Sequence, residues 1–132
     1  MAPLFSLLLT LLFVFQNPNT DADIITFIDP VVAAIDSGSS SELARYFDSS
    51  VSLNINGQQG DYSKNQAELV LKDFFRKNPS MGFNLLFRSE SNPKLSSYIG
   101  DYQTSQGTFK VFIKVSQEGS DIKVYSLEFV KS

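Results

Sequence analysis

Cysteine and histidine are both missing from this chain. Without cysteine there is no disulfide, and no lipid-modified cysteine can follow an export signal. Without histidine there is no His–Asp dyad, no Ser–His–Asp triad and no His-ligated metal site. Positive charge is sparse: eleven Lys and Arg stand singly along the sequence against fourteen Asp and Glu, for a formal net charge of −3. Such scattering leaves no electrostatic footprint for nucleic acid. Long apolar runs are also lacking. The longest, Leu4 to Phe15, falls short of the roughly 20 residues that a membrane span needs.

What the sequence does have is apolar and aromatic side chain, 42% and 13% of its 132 residues, ample for one core in one domain. The run from Leu4 to Phe15 gives way abruptly to polar residues, as the apolar region of a secretory signal does. No Lys or Arg precedes it and no clean A-x-A site follows. Residues 1–22 are therefore read as a signal peptide cut somewhere between Gln16 and Ala22, and residues 23–132 as the domain. The expected location is outside the cytoplasm, periplasmic or secreted, with no membrane span once the signal is removed. The alternative is a hydrophobic helix retained as an anchor or folded onto the domain.

Ile24, Phe27, Ile28, Val31, Val32 and Ile35 recur at helical spacing, and Gly38 can supply a left-handed stop. Pro30 either kinks one long helix or occupies the first position of a shorter one capped by Asp29. Ser39 and Glu42 form a capping-box pair before a short second helix carrying Leu43, Tyr46 and Phe47. "VSLNING" alternates Val51, Leu53 and Ile55 with polar residues and reads as a strand. In "SKNQAELVLKDFFRKNP" Ser63 and Gln66 cap a helix whose stripe is Ala67, Val70, Leu71, Phe74 and Phe75, stopped by Asn78-Pro79. Beyond Pro79 the period becomes two, and three turn signals divide the remainder into a four-stranded meander.

The register of that meander can be worked out, because a slip of one residue moves a whole strand to the wrong face. Pairing Glu90 with Leu95 sets Phe83 opposite Tyr102, Leu85 opposite Gly100 and Phe87 opposite Tyr98. Pairing Gln103 with Thr108 sets Tyr102 opposite Phe109, Gly100 opposite Val111 and Tyr98 opposite Ile113. In the last hairpin an even loop brings Glu128 beside Phe109 or Val111. A three-residue loop of Glu118, Gly119 and Ser120 instead sets Phe109 opposite Phe129, Val111 opposite Leu127 and Ile113 opposite Tyr125. One face is then almost wholly apolar. The other carries a polar row, Asn84, Asp101, Lys110 and Glu128, beside a row of Leu86, Ile99, Phe112 and Ser126.

The order of these elements over residues 23–132 resembles the cone-shaped nuclear-transport-factor-2-like, or cystatin-like, superfamily. The stretches "IDPVVAAIDSGSSSELARYF", "SKNQAELVLKDFFRKNP" and "LSSYIGDYQTSQGTFKVFIKV" resemble more particularly an exported bacterial family of unknown function found in Bacteroidota. The resemblance implies an α+β fold, with N-terminal helices packed on a strongly curved antiparallel sheet, and an export route. It brings no residue roles. In that cone the sheet wraps a helix-lined cavity, and Gly100 in mid-strand is a bend point. Dehydratases, isomerases, polyketide cyclases, transport adaptors and dimerisation modules all use the cone, so the fold does not choose a function.

Enzymes on this cone place a carboxylate or histidine inside the cavity, yet the register puts no Asp or Glu on the inner sheet face. A base would have to come from a helix or loop, for instance Asp61 or Glu68. No catalytic residue, metal ligand or cofactor is therefore assigned. The expectation is a non-enzymatic exported binding or dimerisation module. Its rival is a small-molecule pocket protein, and a third reading is a lyase or isomerase with such a carboxylate. For the pocket, Tyr98, Tyr102 and Tyr125 are candidate walls around a small apolar ligand, with Tyr62 at the mouth; alternatively their rings complete the core and their hydroxyls reach the rim. For a homodimer, Leu86, Ile99 and Phe112, flanked by Val124, are the candidate face; alternatively they are a modest exposed patch. Arg88, Lys110 and Lys114 on that face either meet an acidic partner or are simply solvated.

Overall fold

A computed structural model describes residues 27–92 and 94–132. The signal-peptide reading and Ile24 lie outside the described residues. Helix α1 (Asp29–Ser37) has Pro30 in its first turn, where a missing N–H costs no intrahelical hydrogen bond. The short-helix alternative is thus the one adopted, with the cap moved by one residue: Ile28, not Asp29, holds the N-cap position and makes no side-chain cap. Gly38 ends the helix at φ 66°, ψ 35°, a left-handed geometry that suits a residue without Cβ.

Helix α2 (Ser40–Ala44) is capped by Ser39, whose Oγ accepts the Glu42 N–H at 3.2 Å. Only half of the expected box forms there, because the Glu42 carboxylate turns to Arg45 at 3.4 Å. Helix α3 (Lys64–Lys77) has both halves, with Ser63 and Gln66 serving each other's backbone N–H. Its stripe buries Ala67, Leu71, Phe74 and Phe75.

Six strands form one sheet: β1 (Phe47–Ile55), β2 (Gln58–Ser63), β3 (Gly82–Asn92), β4 (Leu95–Thr104), β5 (Gly107–Glu118) and β6 (Asp121–Lys131), in the order β2-β1-β6-β5-β4-β3. The meander is as expected. Two features are not. Strand β2, "QQGDYS", carries one aromatic and no β-branched residue, so strand propensity gives it no signal. The sheet also contains one parallel pair, β1 with β6, which places the N-terminal hairpin beside the C-terminal strand.

The central hairpin, β4 with β5, follows the worked register at every pair, including Tyr102 with Phe109, Gly100 with Val111 and Tyr98 with Ile113. The outer two hairpins depart from it through bulges. In β3 the pairing follows expectation from Phe83 to Leu85 and then skips Leu86, so that Phe87 meets Ile99 and Arg88 meets Tyr98. Phe87 is therefore outward and 54% exposed, not inward as the unbroken alternation implied. A second irregularity between Ser89 and Asn92 replaces the pairing of Glu90 with Leu95 by Asn92 with Leu95.

The last hairpin turns in two residues, since Glu118 pairs with Asp121 and Gly119 holds φ 63°. A bulge at Tyr125 then changes the parity: Val115 meets Val124, Lys114 meets Ser126, and Val111 meets Phe129. Leu127 and Phe129 stay inward as required, but by an even loop plus a bulge rather than by an odd loop. The same bulge turns Val124 inward, where it is fully buried, and leaves Tyr125 half-buried and outside the core.

The helices cover the inner face, and α3 drives its two phenylalanines into it. The Phe74 ring centroid lies 4.6 Å from Phe129, 5.2 Å from Phe109 and 6.0 Å from Tyr102. Such pairs each contribute about 0.5–1.5 kcal/mol beyond the area they bury. In mid-strand β4, Gly100 lies beneath the Phe83 ring; a Cβ there would collide with that ring and come within 2.6 Å of the Asn84 carbonyl oxygen. The ring could swing aside, whereas the backbone oxygen is held by its own strand. Gly100→Ala is accordingly expected to lower stability by about 1–3 kcal/mol, read as a lower urea midpoint at unchanged slope. A midpoint equal to that of the parent protein would contradict the close approach.

Candidate functional site

Between the β1–β2 hairpin and α3 the structure leaves an open hollow of about 420 Å³. Leu53, Ile55, Val70, Phe74 and Phe109 contribute its apolar surface, and Tyr62 also lines it. Asn56, Gln58, Asp73, Lys77, Asn78 and Lys131 bring the polar groups. Asn56 shapes one side: it sits at φ 52°, donates its N–H to the Phe129 carbonyl at 2.7 Å, and accepts the Lys131 N–H on its side chain at 3.3 Å. On the helix side Asp73 accepts from Arg76 at 2.6 Å and pairs with Lys77 at 3.1 Å. Those two contacts, Arg76 first, hold its carboxyl below the ordinary range.

Of the four tyrosines named from sequence, only Tyr62 lines this hollow. Tyr102 is fully buried among Phe74, Phe75, Phe109 and Phe129, and its hydroxyl donates to the Asn78 carbonyl at 2.6 Å. Tyr98 is also buried and donates to the Glu90 carboxylate at 2.7 Å. These rings complete the core, and their hydroxyls end on partners at its edge. Tyr125 stands apart from both, since the β6 bulge removes it from the inner face.

On the outer face Phe112 lies opposite Ile99, between the buried Val111 and Ile113. Ile99 in turn meets Phe87, and the unpaired Leu86 is beside it, 57% exposed. The apolar group is therefore Leu86, Phe87, Ile99 and Phe112; Val124 does not belong to it. Glu128 follows Phe112 in the row and accepts from Asn54 at 3.1 Å. The neighbouring polar row runs Asn84, Asp101, Lys110 and then Val130 in place of Glu128. Asp101 Oδ1, shielded from solvent, faces the Lys110 ammonium at 2.7 Å as an ion pair rather than an aligned hydrogen bond. Arg88, displaced by the β3 bulge, pairs with Tyr98 and leaves the face it was expected to share with Lys110 and Lys114.

Among the described residues no three Asp or Glu side chains gather as a metal site, and no helix is long and apolar enough to cross a membrane. The model of the family "Domain of unknown function (DUF4783)" matches residues 28–129. The chain belongs to this family. A solved DUF4783 protein from Bacteroides ovatus is 27% identical, with a TM-score of 0.74 over 79% of this chain and 94% of that one. A cystatin-like domain of unknown function from Nostoc punctiforme is 12% identical, with a TM-score of 0.63 over 88% of this chain and 79% of that one. A nuclear-transport-factor-2-like protein of unknown function from Silicibacter pomeroyi is 14% identical, with a TM-score of 0.61 over 86% and 97%. The last two speak to the fold alone: this DUF4783 domain is an α+β cone of the nuclear-transport-factor-2-like, cystatin-like kind. Among curated proteins nothing matches.

Sequence reasoning passed over most of the DUF4783 hollow because its walls depend on β2 and on the parallel β1–β6 pair. One signal was available: Asn56-Gly57 after an alternating strand marks a hairpin turn, and a hairpin requires a second strand. The tyrosines also make a testable pair. Burial, aided at Tyr98 by the Glu90 hydrogen bond, pushes the phenols of Tyr98 and Tyr102 up to about 12 from an ordinary 10. A folded pKa above the unfolded one means that the stabilisation is complete below pH 10 and is lost as pH rises through 12. Absorbance titration of tyrosinate should show two phenols ionising late, together with falling stability across that window. Five phenols ionising together near pH 10 in the folded protein would contradict it.

Proposed function

We propose that this domain is an exported, non-enzymatic binding module that pairs with a second copy of itself through its outer sheet face. The observation that carries the reading is the β3 bulge. By leaving Leu86 unpaired and turning Phe87 outward, it sets two large apolar side chains, each more than half exposed, beside Ile99 and Phe112. An apolar group of that kind, bordered by polar residues, is typical of an interaction surface.

The charges around it favour a second copy over a partner of one sign. Lys110 and Asp101 compensate each other, while Lys114 lies two residues from Phe112 along β5 and Glu128 faces Phe112 from β6. A face that is close to neutral and contains both signs can meet its own image about a two-fold axis. Five strands about 33 Å long at about 4.8 Å spacing offer roughly 800 Å², comparable to one side of a standard interface.

The non-enzymatic part is supported by the polar content of the interior: among the described residues no Asp, Glu, Lys or Arg is buried, and beside the phenols of Tyr98 and Tyr102 the buried polar residue is Thr104. Export is supported by the apolar run Leu4 to Phe15. In sedimentation analysis of the mature domain, the parent protein should run as a dimer. Phe87→Asp and Phe112→Asp should run as monomers with unchanged circular dichroism. A parent protein that is monomeric at high concentration, or two variants that remain dimeric, would end the proposal.

A further inference from the structure

We propose that the hollow between β1, β2 and α3 binds a small amphipathic anion, a carboxylate on an apolar chain or ring, with Lys131 as the residue that meets the charge. A volume of about 420 Å³ falls within the range of small-molecule sites, about 300–1,000 Å³. Its floor is apolar and firmly held: Leu53 is fully buried, while Phe74 and Phe109 are fixed edge to face at 5.2 Å. An apolar body laid there displaces water from surface that has nothing to offer water in return.

The polar groups then select the sign. The whole chain is acidic, at −3, yet Lys77 and Lys131 line this hollow against the one carboxylate of Asp73, and Arg76 pairs with Asp73 from beside it. Two of those cations are already engaged. Arg76 and Lys77 both pair with Asp73, and both lie in the last turn of α3, where they also offset the partial negative charge of the helix end. Lys131 is different. It stands at the end of β6 with its backbone held by Asn56, and among the described residues no carboxylate lies within ion-pair distance of it. An anion is therefore drawn to the β6 side of the mouth, away from the helix end, with its apolar part over Phe74 and Phe109. A cation would meet Lys77 and Lys131, and a neutral molecule would leave Lys131 unused.

The test needs no knowledge of the natural ligand and does not depend on whether the outer face pairs. Octanoate and 1-octanol, both below self-association, are titrated into isotope-labelled protein and followed by amide chemical shifts. Octanoate should shift Leu53, Val70, Phe109 and Lys131 and should bind more tightly than octanol. Lys131→Gln should weaken octanoate by about 1.5- to five-fold, the range of an exposed charge contact, and leave octanol unchanged. Val70→Phe, which fills the hollow, should weaken both probes. The proposal is overturned if octanoate shifts none of these residues, if octanol binds as tightly, or if Lys131→Gln leaves octanoate affinity unaltered.

Discussion

The insertion of Phe74 and Phe75 from α3 into the inner face of the sheet is the contact on which the rest of this structure depends. Rings from one helix and from three strands, β4, β5 and β6, meet within 6.4 Å of one another. The polar end of the cluster is closed by the same helix. Asn78 follows α3, bonds back to the Phe74 carbonyl through both backbone and side chain, and offers its own carbonyl to Tyr102. One residue thus caps the helix and satisfies the buried phenol. A buried hydroxyl without that acceptor would cost about 1–3 kcal/mol.

Filling the middle of the cone with rings decides where anything else can bind. Tyr98 and Tyr102 are both buried in the interior, and open space remains to one side of the ring cluster. One such place is the hollow between β1, β2 and α3, and two rings of the cluster, Phe74 and Phe109, line it. The same side chains therefore serve as core on one surface and as floor on the other. Rigidity of the floor follows from this double use, and a rigid apolar floor suits recognition by shape and charge better than recognition by rearrangement.

How much of this was legible in the sequence depended on whether a local rule settled the matter. Helix ends were readable because Ser63, Gln66, Ser39 and Gly38 act through groups a few residues away. The β4–β5 hairpin was readable because both strands alternate without interruption and a two-residue loop joins them. Alternation also revealed that Leu127 and Phe129 must face inward, although the means was misread. Parity can be set by loop length or by a bulge, and the pattern of side chains is the same for both. Bulges at Leu86 and Tyr125 follow from how the sheet curves over the helices, a property of the whole fold. Each moved a candidate: Phe87 and Val124 exchanged the faces expected of them, and Tyr125 left the inner wall. Strand β2 was legible only through the Asn56-Gly57 turn before it, since it is held by its partner β1 and not by its own composition.

The same interior bears on which kind of function the domain can support. General acid–base chemistry at neutral pH requires a carboxyl raised, or a lysine lowered, by burial and neighbouring charge. The Asp73 carboxyl is displaced the other way by Arg76 and Lys77, toward a permanent anion. The phenols of Tyr98 and Tyr102 are pushed further from neutrality, toward permanent protonation. Each of these groups is locked in a single charge state across the physiological range. Side chains fixed in this way present a constant pattern of charge and hydrogen bonding. Constancy of that kind keeps the charge on the helix side of the hollow, and the hydrogen bonds that close the core, the same across the physiological range.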